Sequence, residues 1–490
     1  MDQRKYNRKG SRLYISATVS TQIASLLRYV ILAHLLGPEQ IGLVAAMTVS
    51  ASFFDLISDT GADRFLIQDR EGGTAAVQNL VQLVYVGRGI LLTICLGICA
   101  NPIARFYDSP QLTTGIITIA AAPLILGLLH LDVRRCQREH DFQPEAICII
   151  ATEVAGLIVT TAAAWLTLDF TAAAYGILAR SAVRVAASHL LARRPYRLAW
   201  ASEHAPRLAR FSIPLTLNGL LLFILSQGDR VIVGREIGIT ALGYYSTISL
   251  MIYCPASAIA SYVHSIFVPM ISARRDSRID QNRIDNHLGG LMLLLALLMA
   301  AGFAAAAPAV VPFLFGVRFA QPALPFALIG VLQAARFLLN WPSTTALAMG
   351  RSTVVLASNL AHLFIFPSVF AGIFLIGGLN GVISGFVGAE LFAIAVALVL
   401  LNRAMGRGRF HGFGRFITFV LTCSAVVGWN FALRTDSWPM VSFMIMGSVA
   451  LLLWLGHSER TVINAAFALT RDVIGSAMPV AVSKPGKSAP

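Results

Sequence analysis

The chain has 490 residues, 56 % of them hydrophobic and only 13 % charged, and a formal net charge of +14. Soluble domains are about 45–50 % apolar and about 25 % charged, so a soluble globular enzyme is excluded; too few charges remain to build a polar skin. With a mean hydropathy of +0.71, the solvent for most of this surface is lipid.

Distribution decides what the positive charge means. Lys and Arg fall in short clusters between long apolar runs and cannot form one basic face, which excludes nucleic acid as a partner. Such clusters instead orient spanning helices against an anionic leaflet.

A spanning helix needs about 20 mostly apolar residues. Applied along the chain, that ruler predicts an all-α transmembrane fold of about 14 helices, at 13–35, 41–66, 77–100, 113–131, 144–167, 171–192, 211–234, 242–270, 286–315, 322–347, 353–376, 379–402, 414–434 and 439–457. The first follows a basic segment, as a signal peptide would. It is long, contains Arg28 and lacks a cleavage pattern, so it reads as a retained span. The second carries Asp55, Asp59 and Asp63 at i+4 spacing, which predicts one acidic helix face, with Arg64 ending the helix. Further along come Arg88, Glu153, Arg180 with Arg184, Asp229 with Arg230, Arg336 and Glu390. A surface helix near Arg460–Ile474 would follow the last span.

An ionisable group at bilayer depth costs about 2.5–3.5 kcal/mol on insertion scales, so it faces a cavity or a partner. On that ground Arg28, Arg180 and Arg336 are the expected anion-binding residues of a substrate path. Arg28 lies too deep in its span to snorkel easily and leads the set. Asp55, Asp59, Asp229, Arg230, Glu153 and Glu390 are the expected coupling or gating residues. For Glu153 and Glu390, hydrogen bonding within the helix bundle is an equal alternative. Arg88 and Arg184 read first as partners of neighbouring helices. The six cysteines form no CxxC pair, and no Walker, HExxH or spaced Cys/His motif occurs. The expectation is no metal and no cofactor, with H+ or Na+ as a compatible coupling ion.

Sidedness follows from the basic residues. With the N-terminus in the cytoplasm, most of the 38 Lys and Arg fall in cytoplasmic tails and loops, and only Arg105, Arg235, Arg318 and Arg434 fall in periplasmic ones. That asymmetry predicts an even number of spans and both termini inside. The outer loops are too short to hold a folded domain.

A repeat is also visible. Gly37 and Gly42 close the first outer turn, with His34 three residues and Arg28 nine residues before Gly37. Gly238 and Gly243 recur at the next such turn, with Arg235 and Asp229 at the same spacings. Six spans separate the copies, so the repeat is parallel, and in such a transporter the substrate path runs between the two bundles. If Arg28 and Asp229 correspond, opposite charges face each other across one hydrated cavity. The expected organisation is a six-helix lobe over 1–200, a second over 201–405, and two extra helices with a tail over 406–490.

The stretch from Leu32 to Gly42, with Phe211-Ser-Ile-Pro214, Asn218, Gly228-Asp229, Leu242-Gly-Tyr-Tyr, Val268-Pro269, Phe313-Leu-Phe-Gly316 and Ala323-Leu-Pro325, resembles the polysaccharide transporter family, the Wzx-type oligosaccharide flippases. The family often has Arg where this chain has His34. The resemblance implies two pseudo-symmetric six-helix bundles around a central cavity. It also implies movement of undecaprenyl-diphosphate-linked oligosaccharide across the bacterial inner membrane, for exopolysaccharide, capsule or O-antigen assembly. The implied partners are that lipid-linked sugar, membrane lipids, and polymerase and chain-length proteins of the same pathway. Two other readings compete. A multidrug exporter of the same fold expects acids and aromatics suited to cations, whereas the first span offers Arg28. A membrane glycosyltransferase or polymerase needs a catalytic loop that these short outer loops do not supply.

Overall fold

The computed structural model describes residues 8–273, 278–408 and 411–432. In chain order its α-helices are α1 (Arg8–Leu36), α2 (Pro38–Ile57), α3 (Ala62–Gln68), α4 (Ala75–Phe106), α5 (Leu112–Ile119), α6 (Ala121–Gly127), α7 (Asp132–Arg138), α8 (Gln143–Thr167) and α9 (Thr171–Leu190). They continue with α10 (Ala205–Glu236), α11 (Ile239–Ser272), α12 (Arg278–Phe315), α13 (Ala323–Ala348), α14 (Ser352–Ala361), α15 (Ile365–Leu375), α16 (Gly378–Met405) and α17 (Phe413–Ala432). No strand occurs among the described residues.

By length and composition, 11 of the described helical stretches can cross a membrane, or up to 12 with the bent α5–α6–α7 stretch. The sixth predicted span is present as α9, but its two arginines and His189 keep it outside that apolar set. The fourteenth predicted span, the tail helix and Arg434 lie outside the described residues.

Three predicted spans are broken. The second ends at Ile57, and α3 starts afresh after Gly61, whose φ of 59° is left-handed. Ser58 turns its hydroxyl back onto the Phe54 carbonyl at 2.7 Å, which helps satisfy the frayed end. Asp55, Asp59 and Asp63 therefore do not form one stacked face: the first sits on α2, the second in the break and the third on α3. The fourth span divides into α5 and α6 before the bend into α7. The eleventh is interrupted by a tight turn over His362–Phe364.

The chain divides into two compact units. The first comprises the described residues of Met1–Pro255, Ala306–Ile329 and Pro367–Phe386. In it, glycines let backbones touch. A Cβ at Gly42 would lie 1.9 Å from the Ile239 carbonyl, and one at Gly243 would lie 1.9 Å from the Pro38 carbonyl. The two Gly-x4-Gly turns thus clasp each other reciprocally. At the other end of α2, a Cβ at Gly219 would meet the Leu56 carbonyl at 2.0 Å.

Within this unit, connections cluster at two ends. At one end Arg235 donates to the Phe106 carbonyl at 2.7 Å and pairs with Asp108, while Arg318 packs over Gly37. At the other, Arg138 grips the carbonyls of Leu66, Ile67, Asp69 and Arg70, Arg194 holds Gly73, and Arg207 pairs with Glu71. Loops expected on one side meet loops expected on the same side.

The second unit comprises the described residues of Ala256–Ala305, Gly330–Phe366 and Val387–Pro490. Its core joins α12, α13, α16 and α17 through Leu288, Met292, Ala296, Leu338, Ile394, Leu398 and Phe419. Trp341 is its largest fully buried side chain, and Gly289 and Gly412 clear the space for its indole.

Candidate substrate cavity

Glu153 on α8 is the centre of the site. Its carboxylate accepts from Arg28 Nη1 on α1 and from Arg180 Nη2 on α9, both at 2.6 Å. Gly156, one turn further along α8, explains how two guanidinium side chains fit there. A Cβ at that position would lie 2.5 Å from Arg180 Cγ and 3.1 Å from Arg28 Nη1. Gly176 brings α9 against α8 in the same way, because a Cβ there would strike Thr160 Oγ1.

Arg28 and Arg180 line a cavity of about 260 Å³ together with Ser25, Tyr29, Thr48, Thr160, Ser246 and Arg230. Three guanidiniums line it, and Glu153 pairs with only Arg28 and Arg180, so the wall carries a positive excess. Arg28 also donates to Ser25 Oγ at 3.0 Å. Arg180 spends Nη2 on Glu153 while its side chain is 34 % exposed, so part of the guanidinium faces the cavity and can meet an incoming anion; its Nε is enclosed. Guanidinium donors in a fork suit phosphate oxygens, and a partly desolvated site strengthens each charge-assisted bond.

Two neighbouring cavities share Ile177 and Arg180 with this one. The cavity of about 430 Å³ contains Asp55 and Arg88, which form an ion pair, and Arg88 also donates to the Ser58 carbonyl at 2.9 Å. The cavity of about 480 Å³ contains Glu145 and Arg184, paired at 2.7 Å, and both Glu153 and Arg180. Arg134 reaches Glu145 and Asp63, each at 3.4 Å. The reading of Arg88 and Arg184 as partners of neighbouring helices agrees with these pairs. Glu145 and Arg134 complete a second ionic bridge that the chain-order reading missed.

The remaining expected residues are placed as follows. Asp59 accepts from the Gly61 N–H at 2.9 Å and pairs with exposed Arg64 at 3.0 Å, both local to the break after α2. Asp229 is 4 % exposed and accepts from Tyr245 Oη at 2.6 Å. It is Arg230, not Asp229, that lines the cavity with Arg28, and Arg230 also donates to Gln227 Oε1 at 2.8 Å. The expected pairing of opposite charges across the cavity is replaced by like charges, and Arg28 is 8 % exposed, packed and paired instead of freely hydrated. In the second unit Arg336 pairs with Glu390 at 2.9 Å, and His362 Nδ1 lies 3.4 Å from the other carboxylate oxygen. Among the described residues, no group of His, Cys, Asp and Glu has the arrangement of a metal site.

Comparison with known proteins agrees with this architecture. A family model described as "Polysaccharide biosynthesis protein" matches residues 31–323, more than half of the chain. Among curated proteins, the chain is 25 % identical over 64 % of its length to the succinoglycan biosynthesis transport protein ExoT of Rhizobium meliloti. That match spans 63 % of ExoT, just under two thirds of it. The chain is also 23 % identical over 81 % of its length to the lipopolysaccharide biosynthesis protein WzxC of Escherichia coli, covering 80 % of that protein. Among solved structures, the lipid II flippase MurJ in an inward closed conformation superposes with a TM-score of 0.67 at 13 % identity, covering 92 % of this chain and 99 % of MurJ. An inward-facing multidrug resistance MATE transporter superposes with a TM-score of 0.61 at 15 % identity, covering 82 % and 96 %. The names of ExoT, MurJ and the MATE protein speak of transport or flipping, in keeping with a transporter and not an enzyme. By its family match and its fold, the chain belongs to the polysaccharide biosynthesis protein family, as a multi-pass membrane protein of the MATE and MurJ architecture.

Proposed function

We propose that this protein is a flippase for undecaprenyl-diphosphate-linked oligosaccharide, moving it from the cytoplasmic to the periplasmic leaflet of the bacterial inner membrane by alternating access. The observation that carries this reading is the cavity lined by Arg28, Arg180 and Arg230, with Glu153 neutralising only part of their charge. A diphosphate diester carries a negative charge on each phosphate and presents several acceptor oxygens. Arg180, a third exposed and lining the cavity, supplies the complement. While the cavity is empty, Glu153 holds Arg28 and Arg180 in place, and diphosphate oxygens then compete for their donors. The polyprenyl tail stays in lipid.

Alternating access needs two ends that close in turn. The reciprocal contacts of Gly42 and Gly243 supply one closure, and the contact of Gly219 with the end of α2 supplies the other. Both termini lie in the cytoplasm, polymerase and chain-length proteins of the same pathway receive the product, and H+ or Na+ drives the cycle. Arginine lining disfavours a cationic drug, which sets the multidrug-exporter reading aside.

Polysaccharide export in cells lacking the native gene tests this reading. Arg28→Ala is expected at normal membrane abundance by immunoblot, because Glu153 keeps Arg180 as a partner, yet with export lost. Arg28→Lys keeps the charge without the fork and retains partial export. Full export by abundant Arg28→Ala protein would overturn the assignment.

A further inference from the structure

The cavity of about 480 Å³ has a wall that the diphosphate reading does not use. Tyr14, Thr18, Thr21 and Gln22 of α1 all line it. Their spacings of three and four residues place them on one helix face, and the same face continues through Ser25 to Arg28. A polar stripe on an apolar spanning helix is disfavoured against lipid, so it belongs against water or a polar ligand.

The chemistry of this wall is mixed. Thr18 and Thr21 donate their hydroxyl protons to the Tyr14 and Ala17 carbonyls at 2.9 and 3.0 Å, which leaves their oxygens as acceptors. Gln22 is exposed and offers a donor and an acceptor on one amide. Across the cavity, the Glu145–Arg184 pair adds an acceptor beside a donor while staying neutral as a unit. A ligand that is itself both donor and acceptor at many points, with no net charge, fits such a wall. Sugar hydroxyls have that character; phosphate and fatty chains do not. The volume falls in the range of about 300–1,000 Å³ typical of small-molecule sites. Arg180 and Ile177 border both this cavity and the arginine-lined one, so a group attached to an anion at Arg180 extends into it.

We infer that this second cavity holds and reads the sugar next to the diphosphate, with Thr18 and Gln22 among the residues that set sugar preference. The inference rests on the flippase reading and assigns the substrate's two chemical parts to two adjoining compartments.

The test is binding to purified full-length protein in detergent with two probes. One is the lipid-linked precursor extracted from a host strain in which this gene is deleted. The other is undecaprenyl diphosphate without sugar. Thr18→Val combined with Gln22→Leu removes hydrogen bonds to sugar hydroxyls, and is expected to weaken binding of the sugar-bearing lipid about tenfold. Binding of the bare diphosphate lipid stays within about twofold and reports that the variant is folded. Gln22→Leu alone, at an exposed position, gives a smaller loss of the same selective kind. Arg180→Ala weakens both probes. Equal loss of both lipids in the double variant, or no loss of either, overturns the inference while leaving the flippase reading intact. Failure of wild-type protein to bind either lipid overturns the flippase reading itself.

Discussion

Two buried carboxylates, one in each unit, divide the ways an apolar helix can carry charge. Glu153 serves two arginines and lines the cavity of about 480 Å³, and both arginines line the cavity of about 260 Å³. Asp285 on α12 is fully buried and accepts from Trp341 Nε1 at 2.9 Å, from Thr345 Oγ1 at 2.6 Å and from Arg407. One carboxylate there meets one guanidinium, and the indole and hydroxyl take the remaining lone pairs. Arg407 is held in turn by Asn282. The Asp285 cluster ties α12 and α13 to the segment after α16, with Arg407 Nη2 enclosed and unpartnered. The Glu153 cluster has two arginines to one carboxylate, and both arginines line a cavity. Charge inside a membrane helix is therefore no mark of function by itself; what matters is whether a cavity reaches it.

Substitutions can break this contrast, and the largest effect is expected at Asp285. Removing one partner of a buried ion pair costs about 3–5 kcal/mol. Asp285→Ala should therefore sharply lower membrane abundance and thermal stability in detergent, while export per surviving molecule stays near normal. Normal abundance with lost export would make this cluster functional and dissolve the contrast.

The glycine clasp comes next. A methyl at Gly42 must push back the Ile239 backbone, and overpacking of this kind costs about 1–3 kcal/mol. Gly42→Ala is expected to bias the protein toward opening at that end. Labelling of a cysteine introduced in place of Ser246, which lines the arginine cavity, by a membrane-impermeant maleimide should then rise several-fold. Unchanged labelling would mean that α2 and α11 part elsewhere.

The smallest effects belong to the acids beyond the end of α2. Asn in place of Asp59 still accepts from the Gly61 N–H and loses only an exposed pair with Arg64, worth about 0–1 kcal/mol. Asp63→Asn loosens Arg134, which is also held by Glu145. Both variants should keep export within about twofold of wild type, measured at equal abundance. Strong loss at either would return these acids to the transport path.

How much of this was legible beforehand follows the same physics. Hydropathy and length placed the described spans within about eight residues at each end of α1, α4, α8 to α13, α16 and α17, because lipid punishes any other arrangement of the backbone. Asp59-Thr60-Gly61 is a turn signal, yet a window of apolar residues on both sides outweighed it, and the three acids were read as one stripe. The paired glycines were visible as a repeat, but not that the copies touch each other. Arg28, Glu153 and Arg180 stood out singly by their cost. Their meeting depends on Gly156 leaving room on α8, a contact between distant parts of the chain that spacing does not encode. The α1 stripe was readable at helical period and was overlooked because its members carry no charge.

The central claim is that the arginine-lined cavity binds a diphosphate. The direct measurement is the affinity of purified wild-type protein and of Arg180→Ala for undecaprenyl diphosphate and for undecaprenol, which lacks both phosphates. Two charge-assisted hydrogen bonds at about 1.5–3 kcal/mol each correspond to roughly a hundredfold or more in affinity. Wild-type protein should prefer the diphosphate lipid by at least that factor, and Arg180→Ala should lose most of the preference with its fold intact. Equal affinity of wild-type protein for the two lipids, or an undiminished preference in Arg180→Ala, would contradict the account.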